Sequence, residues 1–194
     1  MDEFGYHNWL MVIGDIKGSI VDKEIEKKKP KVIVEIGGYC GYSAIRFANL
    51  QKNISPESHY FSFEYSREFA SIAHSIIEFA GLSEQISIIV GSFSVTFPKV
   101  VGEIGNIDMI FIDHKKENYL PDLKLIESFI DNGTVIIADN VIYPGAPDYL
   151  QYIRNNKNYK STFHETVVEY MKENPIKDGI EVSIYLRLGQ LVYP

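Results

Sequence analysis

The sequence predicts an α/β fold in which a parallel sheet is covered by helices on both faces. Five short apolar runs rich in β-branched residues alternate with segments of helical periodicity, and the runs end 29, 26, 23 and 26 residues apart. These spacings suit repeated strand-helix units. Each run is mostly continuous in apolar character, as is typical of strands buried on both faces. The length of 194 residues predicts a single domain, 1–194.

The predicted elements follow one another from a helix at about 13–29, whose basic end precedes Pro30 and complements the helix dipole. The predicted strands are 31–37, 59–64, 86–91, 107–113 and 134–139. The helices between and around them are 42–52, 66–80, 93–102 and 117–130. A loop at 143–150 and a short helix come next, and 161–170 and 179–188 are predicted to form a terminal strand pair.

The composition disfavours several classes of function. A formal charge of −7 disfavours nucleic acid as a partner, because neutralising phosphates requires a basic face. The one cysteine, Cys40, cannot form an internal disulfide, which fits a reducing compartment. The acidic start of the chain is unlike a secretory signal, and no apolar run approaches the roughly 18 residues of a membrane span. The sequence therefore predicts a cytoplasmic protein with no membrane partner and leaves its oligomeric state open.

Acidic residues end four of the five predicted strands: Glu35, Glu64, Asp113 and Asp139. The carboxyl ends of parallel strands share one edge of the sheet, and ligands bind there in such folds. Any one of these residues could simply cap a helix or face water. Four carboxylates left unpaired at one edge would repel one another, so we expect a cation, a sulfonium, an ammonium or hydroxyl donors among them.

A glycine-containing turn, Gly37, Gly38 and Gly41, follows the first predicted strand. Glycines let the backbone approach a ligand closely, although a tight turn without any ligand explains them about as well. A nicotinamide dinucleotide is one candidate, but the G-x-G-x-x-G spacing is absent and Glu35 would face the pyrophosphate. A positively charged nucleoside suits the turn better, with Glu64 accepting hydrogen bonds from the ribose hydroxyls. S-adenosylmethionine is such a ligand.

A second group of polar residues follows the fourth and fifth predicted strands. Asp113, Asp139 and Asn140 offer oxygen ligands of the kind that Mg²⁺ or Mn²⁺ prefers. The alternative is that Asp139 and Asn140 only cap a helix. Lys115 and Lys116 come just after the fourth strand, where a bound cation would depress the pKa of a lysine and let it serve as a base. The alternative for both lysines is a solvated side chain.

These residues lie within motifs that resemble the catechol O-methyltransferase family, Mg²⁺-dependent enzymes that move a methyl group from S-adenosylmethionine to one hydroxyl of a catechol. The resemblance runs from about Trp9 to about Tyr185. It implies a Rossmann-like methyltransferase fold with a seven-stranded, mostly parallel sheet whose last strand is antiparallel. The motifs are IGDIKG at 13–18, EIGGYCGYSA at 35–44, EFAGL at 78–82, Asp113-His114 with YLPD at 119–122, and ADNVIYPGAPD at 138–148.

The resemblance also implies a role for each matching residue. Lys116 would be the general base, Glu169 would hold the second catechol hydroxyl, and Trp9 and Pro144 would wall the catechol ring. Asn140 would contact the substrate as well. The Mg²⁺ ligands would be Asp113, Asp139 and Asn140. The residues around S-adenosylmethionine would be Met11, Ile13, Glu35, Gly37, Tyr39, Ser43, Glu64, Tyr65, Gly91, Ser92, Phe93, Ser94, Asp113 and His114.

The sequence departs from the family at three places. Lys115 stands where the family has a tryptophan, and Phe93-Ser94 stand where the family has Ser-Gln near adenine. The helices that precede Trp9 in the family are expected to be absent. Two alternatives therefore stay open: another Mg²⁺-dependent O-methyltransferase of this fold acting on a larger diphenol, and a catalytically weak protein that only binds the nucleoside cofactor.

Overall fold

One sheet of seven strands forms the centre of the protein in a computed structural model that describes residues 1–8, 10–171 and 174–187. The strands are β1 (Val32–Ile36), β2 (His59–Glu64), β3 (Ile86–Val90), β4 (Ile107–Ile112), β5 (Ile130–Ala138), β6 (Tyr159–Val167) and β7 (Lys177–Tyr185). They lie side by side in the order β3-β2-β1-β4-β5-β7-β6. The first five strands in this order are parallel to one another, and β7 runs antiparallel to both β5 and β6. The predicted fold class is confirmed.

Seven α-helices precede or connect these strands within the described ranges. They are α1 (Asp2–His7), α2 (Gly14–Lys28), α3 (Tyr42–Ile54), α4 (Arg67–Phe79), α5 (Phe93–Ile104), α6 (Tyr119–Ile126) and α7 (Pro147–Asn155). The helices predicted at 13–29, 42–52, 66–80 and 93–102 agree with α2 to α5 to within two residues at either end. None of the described helices is long and apolar enough to cross a membrane.

The region around β5 differs most from the sequence prediction. The helix predicted over 117–130 is α6 flanked by short 3-10 turns, and β5 begins at Ile130, not at 134, because Ile130 pairs with Ile107 of β4. Asp131, Asn132 and Gly133 resemble a turn in sequence and conceal this early start. Further along, α7 begins inside the loop predicted at 143–150, with Pro147 at its first turn, where proline is favoured.

The two ends of the chain carry the remaining differences. The predicted terminal strand pair is present as β6 and β7, but β6 ends at Val167, so that Glu169 lies in the turn after it. Residue 188, where the prediction ends, lies outside the described residues. Helix α1 was not predicted; its Asp2 carboxylate accepts hydrogen bonds from the hydroxyls of Tyr42 and Tyr170, at 2.6 and 2.8 Å.

Helices cover both faces of the sheet. Because successive strand residues point to opposite sides, each strand contributes side chains to both faces. Val34 and Ile36 belong to a core cluster that includes residues of α5, α6 and α7. Ile33 and Phe111 belong to the cluster on the other face, with residues of α2, α3 and α4. The helices on both faces leave the strand ends as the place where polar side chains gather.

Candidate active site

A cavity of about 1540 Å³ opens at the carboxyl ends of the parallel strands. It lies where the strand order reverses between β1 and β4, which is where ligands bind in open α/β sheets. Most of the residues selected from the sequence line this cavity. They are Met11, Ile13, Gly37, Tyr39, Ser43, Glu64, Tyr65, Gly91, Ser92, Phe93, Asp113, His114, Lys116, Asp139, Asn140, Pro144 and Glu169.

Among the selected residues that the structure describes, Ser94 and Glu35 are not among those lining the cavity. Trp9 lies outside the described residues. Ser94 is exposed, and its hydroxyl lies 3.1 Å from that of Ser92. Glu35 lies beneath the glycine turn and is fully buried. A residue next to a motif in sequence need not reach the cavity, because neighbouring residues point in different directions.

Glu35 is held by hydroxyl groups of the protein itself. Its carboxylate accepts hydrogen bonds from Ser43 and Ser62. Burial raises the pKa of Glu35 to about 7, although these two bonds oppose the rise. Glu35 therefore supports the floor of the site, and it presents no free charge to a ligand.

Glu64 ties the glycine turn to the start of α4. Its two carboxylate oxygens accept hydrogen bonds from the backbone N–H groups of Tyr39 and Ser66, both at 2.7 Å. Each carboxylate oxygen can accept a further hydrogen bond, so a ligand hydroxyl can still be held. Glu64 is thus a candidate for holding a ribose.

Two glycines of the turn are required by the protein itself. A Cβ atom on Gly37, whose φ is +105°, would lie 2.4 Å from the carbonyl oxygen of Asp113. A Cβ atom on Gly38 would lie 2.3 Å from the Ser62 hydroxyl. Close packing of the turn against β2 and β4 therefore accounts for both glycines whether or not a ligand binds.

Of the three residues predicted to bind metal, Asp139 pairs with Lys17, and the oxygens of Asp113 and Asn140 face the ammonium group of Lys116. Its Nζ lies 2.9 Å from Asp113 Oδ1 and 3.3 Å from Asn140 Oδ1. The described residues hold no group of three or more His, Cys, Asp or Glu side chains arranged for a metal. The predicted set contains two carboxylates and one amide, and its hard oxygen donors already contact the cationic groups of Lys116 and Lys17. This chemistry fits Mg²⁺.

Burial and neighbouring charges both affect the ionisation of Asp139. Burial raises its pKa to about 7, and the negative charge of Asp113 adds to the rise. The buried ammonium of Lys17, 2.8 Å from Asp139 Oδ1, opposes it. A further positive charge at these oxygens would stabilise the ionised carboxylate.

Lys116 is oriented by a buried tyrosine. The hydroxyl of Tyr119 accepts a hydrogen bond from Lys116 Nζ at 2.5 Å and donates one to the carbonyl of Asp139 at 2.9 Å. The ring of Tyr119 stacks on that of His114, with centroids 5.2 Å apart. The ammonium therefore has a fixed place beside the predicted metal ligands.

His114 leaves a polar atom for a ligand. Its Nε2 lies 2.8 Å from Asp122 Oδ2, whereas its buried Nδ1 has no hydrogen-bond partner among the described residues. His114 lines the cavity, and a buried nitrogen without a partner is costly. A bound ligand that supplies a hydrogen bond there would remove this cost.

Other selected residues form the rim and walls. Met11 is 56% and Tyr65 79% exposed, so both lie at the mouth. Phe93 is buried, packs against Phe63 and Phe97, and lines the cavity. Glu169 accepts a hydrogen bond from the backbone N–H of Lys17 at 3.0 Å, and burial raises its pKa.

The structure adds two residues that the sequence reasoning missed, Lys17 and Asp178. Both are buried beside Asp139 and Asn140. A signal was available for Lys17, since it shares the helical spacing of Val21 and Ile25 and so occupies the apolar face of α2. Asp178 lies in β7, one residue before the strand predicted at 179–188, and its place between Lys177 and Gly179 resembles an ordinary turn in sequence.

Solved proteins share this architecture. The O-methyltransferase from Bacillus cereus in complex with SAH has a TM-score of 0.79 and 24% identity, over 90% of this chain and 82% of that one. The O-methyltransferase TomG from Streptomyces achromogenes, in complex with SAM, has a TM-score of 0.78 and 18% identity, over 95% of this chain and 87% of that one. The fold is that of the class I methyltransferases.

Sequence comparisons specify the family. A model of the O-methyltransferase family matches residues 5–183. The catechol O-methyltransferase of Bos taurus is 38% identical over 185 residues, which are 93% of this chain and 66% of that protein. The catechol O-methyltransferase of Sus scrofa is 36% identical over 188 residues, 95% of this chain and 98% of that protein. The chain belongs to the O-methyltransferase family, and it spans 66% of the length of its bovine relative.

Proposed function

We propose that the protein transfers a methyl group from S-adenosylmethionine to one hydroxyl of a catechol, with Mg²⁺ bound at Asp113, Asp139 and Asn140. The observation that carries the proposal is that Asp113 and Asn140 face Lys116, and Asp139 faces Lys17, at the edge of one large cavity. The chain's identity to catechol O-methyltransferases supports the choice of substrate. We also propose that the protein is a single domain, that it acts in the cytoplasm and that its substrate is a small molecule.

The cofactor's place is supported by the β1 and β2 side of the cavity. Glu64 would accept hydrogen bonds from the ribose hydroxyls, and His114 Nδ1 would meet a polar group of the ligand. When bound, S-adenosylmethionine supplies a methyl group made electrophilic by its sulfonium. The acidic strand ends favour that positive charge over an anionic cofactor.

The metal's place is supported by the β4 and β5 side. When bound, Mg²⁺ supplies Lewis acidity that lowers the pKa of a coordinated hydroxyl. Asp139 offers its Oδ2, because Oδ1 already accepts hydrogen bonds from Lys17 Nζ and from the Asn140 backbone. Asn140 offers its Oδ1, which now faces Lys116.

Lys116 acts as the general base in this proposal. As the neutral amine that a nearby bound cation would favour, its Nζ would receive the proton of the attacking hydroxyl, and Tyr119 keeps that nitrogen in place. Glu169 accepts a hydrogen bond from the second hydroxyl of the catechol. The bound cofactor would supply its methyl group to the catechol oxygen and would leave as S-adenosylhomocysteine. Holding the two reactants together accounts for much of the rate.

A methyl-transfer assay tests the proposal. The protein is incubated with S-adenosylmethionine carrying a labelled methyl group and with a simple catechol, in Mg²⁺ or in excess chelator. We expect labelled product with Mg²⁺ and none with chelator. Cofactor binding without any turnover would instead favour the binding protein, and turnover unaffected by chelator would refute the metal's part.

A second candidate is methylation of a larger diphenol by the same residues. The cavity continues past the predicted site to Lys124 on α6 and Asp148 on α7. Lys115, at the mouth, is exposed and does not close the opening. Activity on a bulky diphenol well above that on catechol itself would favour this candidate.

A further inference from the structure

A buried ion pair lies directly beneath the proposed metal ligands. Lys17 on α2 and Asp178 on β7 are each 1% exposed, and Lys17 Nζ lies 2.5 Å from Asp178 Oδ2. The same ammonium lies 2.8 Å from Asp139 Oδ1. Removing charges from water is costly, and a buried pair persists only where further hydrogen bonds compensate.

Both carboxylate oxygens of Asp178 accept further hydrogen bonds. Its Oδ2 also accepts from the side-chain Nδ2 of Asn140, at 2.7 Å. Its Oδ1 accepts from the backbone N–H groups of Ile142 and Tyr143, at 3.3 and 2.9 Å. Asp178 therefore holds both the side chain of Asn140 and the segment that leads to Pro144.

The contact with Asp178 determines which way the Asn140 amide points. With Nδ2 donating to Asp178, the other end of the amide, Oδ1, faces Lys116 and the proposed metal position. The opposite orientation would place two oxygens against each other and would turn an N–H₂ group toward a cation. Only the observed orientation makes Asn140 a metal ligand.

Lys17 helps to determine which carboxylate oxygen of Asp139 is left for a cation. Lys17 Nζ and the Asn140 N–H both donate to Oδ1, at 2.8 and 2.7 Å, and none of the described residues donates to Oδ2. One oxygen is thus occupied and the other is left for a cation. The backbone N–H of Lys17 also holds Glu169, so one residue links the two sides of the proposed substrate site.

Asp178 is also needed to balance the charge of Lys17. An unpaired ammonium beside Asp139 would repel a divalent cation bound there. Asp178 neutralises that ammonium, with its Oδ2 2.5 Å from Lys17 Nζ.

We propose that Lys17 and Asp178 are positioning residues that prepare Asp139 and Asn140 to bind a divalent cation. The inference rests on the proposed function, because it concerns the same metal site. It goes beyond that function because it makes the metal affinity of the site depend on two residues that are not proposed metal ligands.

Mn²⁺ binding to the Asp178→Asn variant, measured by calorimetry or by electron paramagnetic resonance, tests the inference. An asparagine has one acceptor oxygen and no charge, so it cannot serve all four donors or neutralise Lys17. We expect Mn²⁺ affinity to fall about 10- to 100-fold, as for other residues that support metal ligands. S-adenosylhomocysteine affinity, measured in chelator, should stay unchanged, since Asp178 does not line the cavity.

Glu181→Gln is the matched control. Glu181 is a buried carboxylate on the same strand, bonded to Arg154 at 2.9 and 2.6 Å, and it contacts none of the proposed ligands. Its loss should lower thermal stability and leave Mn²⁺ affinity intact. Unchanged Mn²⁺ affinity in Asp178→Asn, or an equal loss in Glu181→Gln, would overturn the inference alone. Absence of Mn²⁺ binding by the unaltered protein would overturn the proposed metal site and the inference with it.

A measurement on the unaltered protein covers the case in which Asp178→Asn does not fold. Nuclear magnetic resonance can follow hydrogen exchange of the side-chain amide of Asn140. Because that amide donates to a buried carboxylate, we expect its exchange to be much slower than that of Asn155, whose side chain is exposed and bonds to Gln151. Equally fast exchange would show that Asp178 does not hold Asn140, and the inference would fail.

Discussion

The two sides of the acidic strand edge hold their carboxylates in opposite ways. At the ends of β1 and β2, Glu35 and Glu64 accept hydrogen bonds from neutral donors, namely serine hydroxyls and backbone N–H groups. At the ends of β4 and β5, Asp113 and Asp139 are held by ammonium groups. Acidic residues at equivalent strand ends thus have different chemistry, because their partners come from different parts of the chain.

We expect this difference to separate a nucleoside side, at β1 and β2, from a cation side, at β4 and β5. Carboxylates that already accept neutral donors can accept more of them, which suits ribose hydroxyls. Carboxylates that are surrounded by cations are suited to a metal and to a proton-accepting lysine. The predictions below test whether the two sides can be disabled separately.

The largest expected effect comes from removing one carboxylate on each side. Asp139→Ala should abolish turnover and leave most of the cofactor affinity, because Asp139 lies on the cation side. Glu64→Ala should chiefly weaken cofactor binding, because it removes the acceptor for the ribose and the tie to the turn. Calorimetry with S-adenosylhomocysteine on both variants decides. Equal loss of cofactor affinity in the two would remove the distinction between the sides.

The next largest effect concerns the two adjacent lysines. Lys116→Ala should lower kcat by about 10²- to 10⁴-fold, the usual range for removal of a general base. Lys115→Ala is the matched control: its side chain is exposed, whereas Lys116 contacts Asp113 and Tyr119. Single-turnover kinetics with bound cofactor measure the chemical step. An inactive Lys115→Ala with an active Lys116→Ala would reverse the assignment.

Sequence reasoning predicted which residues gather at the ends of β4 and β5, but it missed the residues that hold them. The strand ends were predictable because buried strands are continuous apolar runs, and parallel strands bring their ends to one edge. Asp113, Asp139 and Asn140 therefore fall together as expected. Their supports come from elsewhere in the chain: Lys17 is 161 residues from Asp178. No local pattern encodes that contact.

On the nucleoside side, sequence reasoning selected residues that do not line the cavity. Glu35 and Ser94 were selected because they lie within or beside motifs, yet Glu35 faces serines beneath the turn and Ser94 faces outward. The glycine turn was predicted, but the packing of Gly37 and Gly38 against β4 and β2 accounts for it without a ligand. Position along the chain indicates which residues are near a site, whereas side-chain direction depends on tertiary packing.

A third prediction uses pH to separate Glu35 from a ligand-binding carboxylate. Its pKa is raised from 4.5 to about 7 in the folded state by burial, so between these pH values the folded protein binds a proton that the unfolded chain has lost. Stability contributed by Glu35 therefore falls as pH rises from 4.5 to about 7.

Glu35→Gln should remove this loss. Relative to the unaltered protein, the variant should gain about 3 kcal/mol of unfolding free energy between mildly acidic and mildly alkaline pH. Urea unfolding at a series of pH values measures it, and the same series on Glu64→Gln shows whether the effect belongs to Glu35. A constant difference between Glu35→Gln and the unaltered protein at every pH would contradict the buried, proton-binding state.

The smallest expected effect concerns Lys115, which lies at the mouth on the cation side. Where the family has an aromatic wall, this lysine offers a flexible stem and an ammonium that attracts anions. We expect kcat/KM to favour dihydroxyphenylacetate over dopamine, since the first carries a carboxylate tail and the second an ammonium tail.

The size of that preference follows from the exposure of Lys115. An exposed ion pair contributes only about 0 to 1 kcal/mol, so the ratio should be several-fold at most and should fade as salt is added. Lys115→Trp removes the charge and restores a wall, and the ratio should then fall. The competing explanation is that Lys115 points to solvent and leaves a gap, in which case every catechol binds more weakly and tail charge has no effect. A dopamine preference, or an unchanged ratio in Lys115→Trp, would reject the electrostatic explanation in favour of the gap.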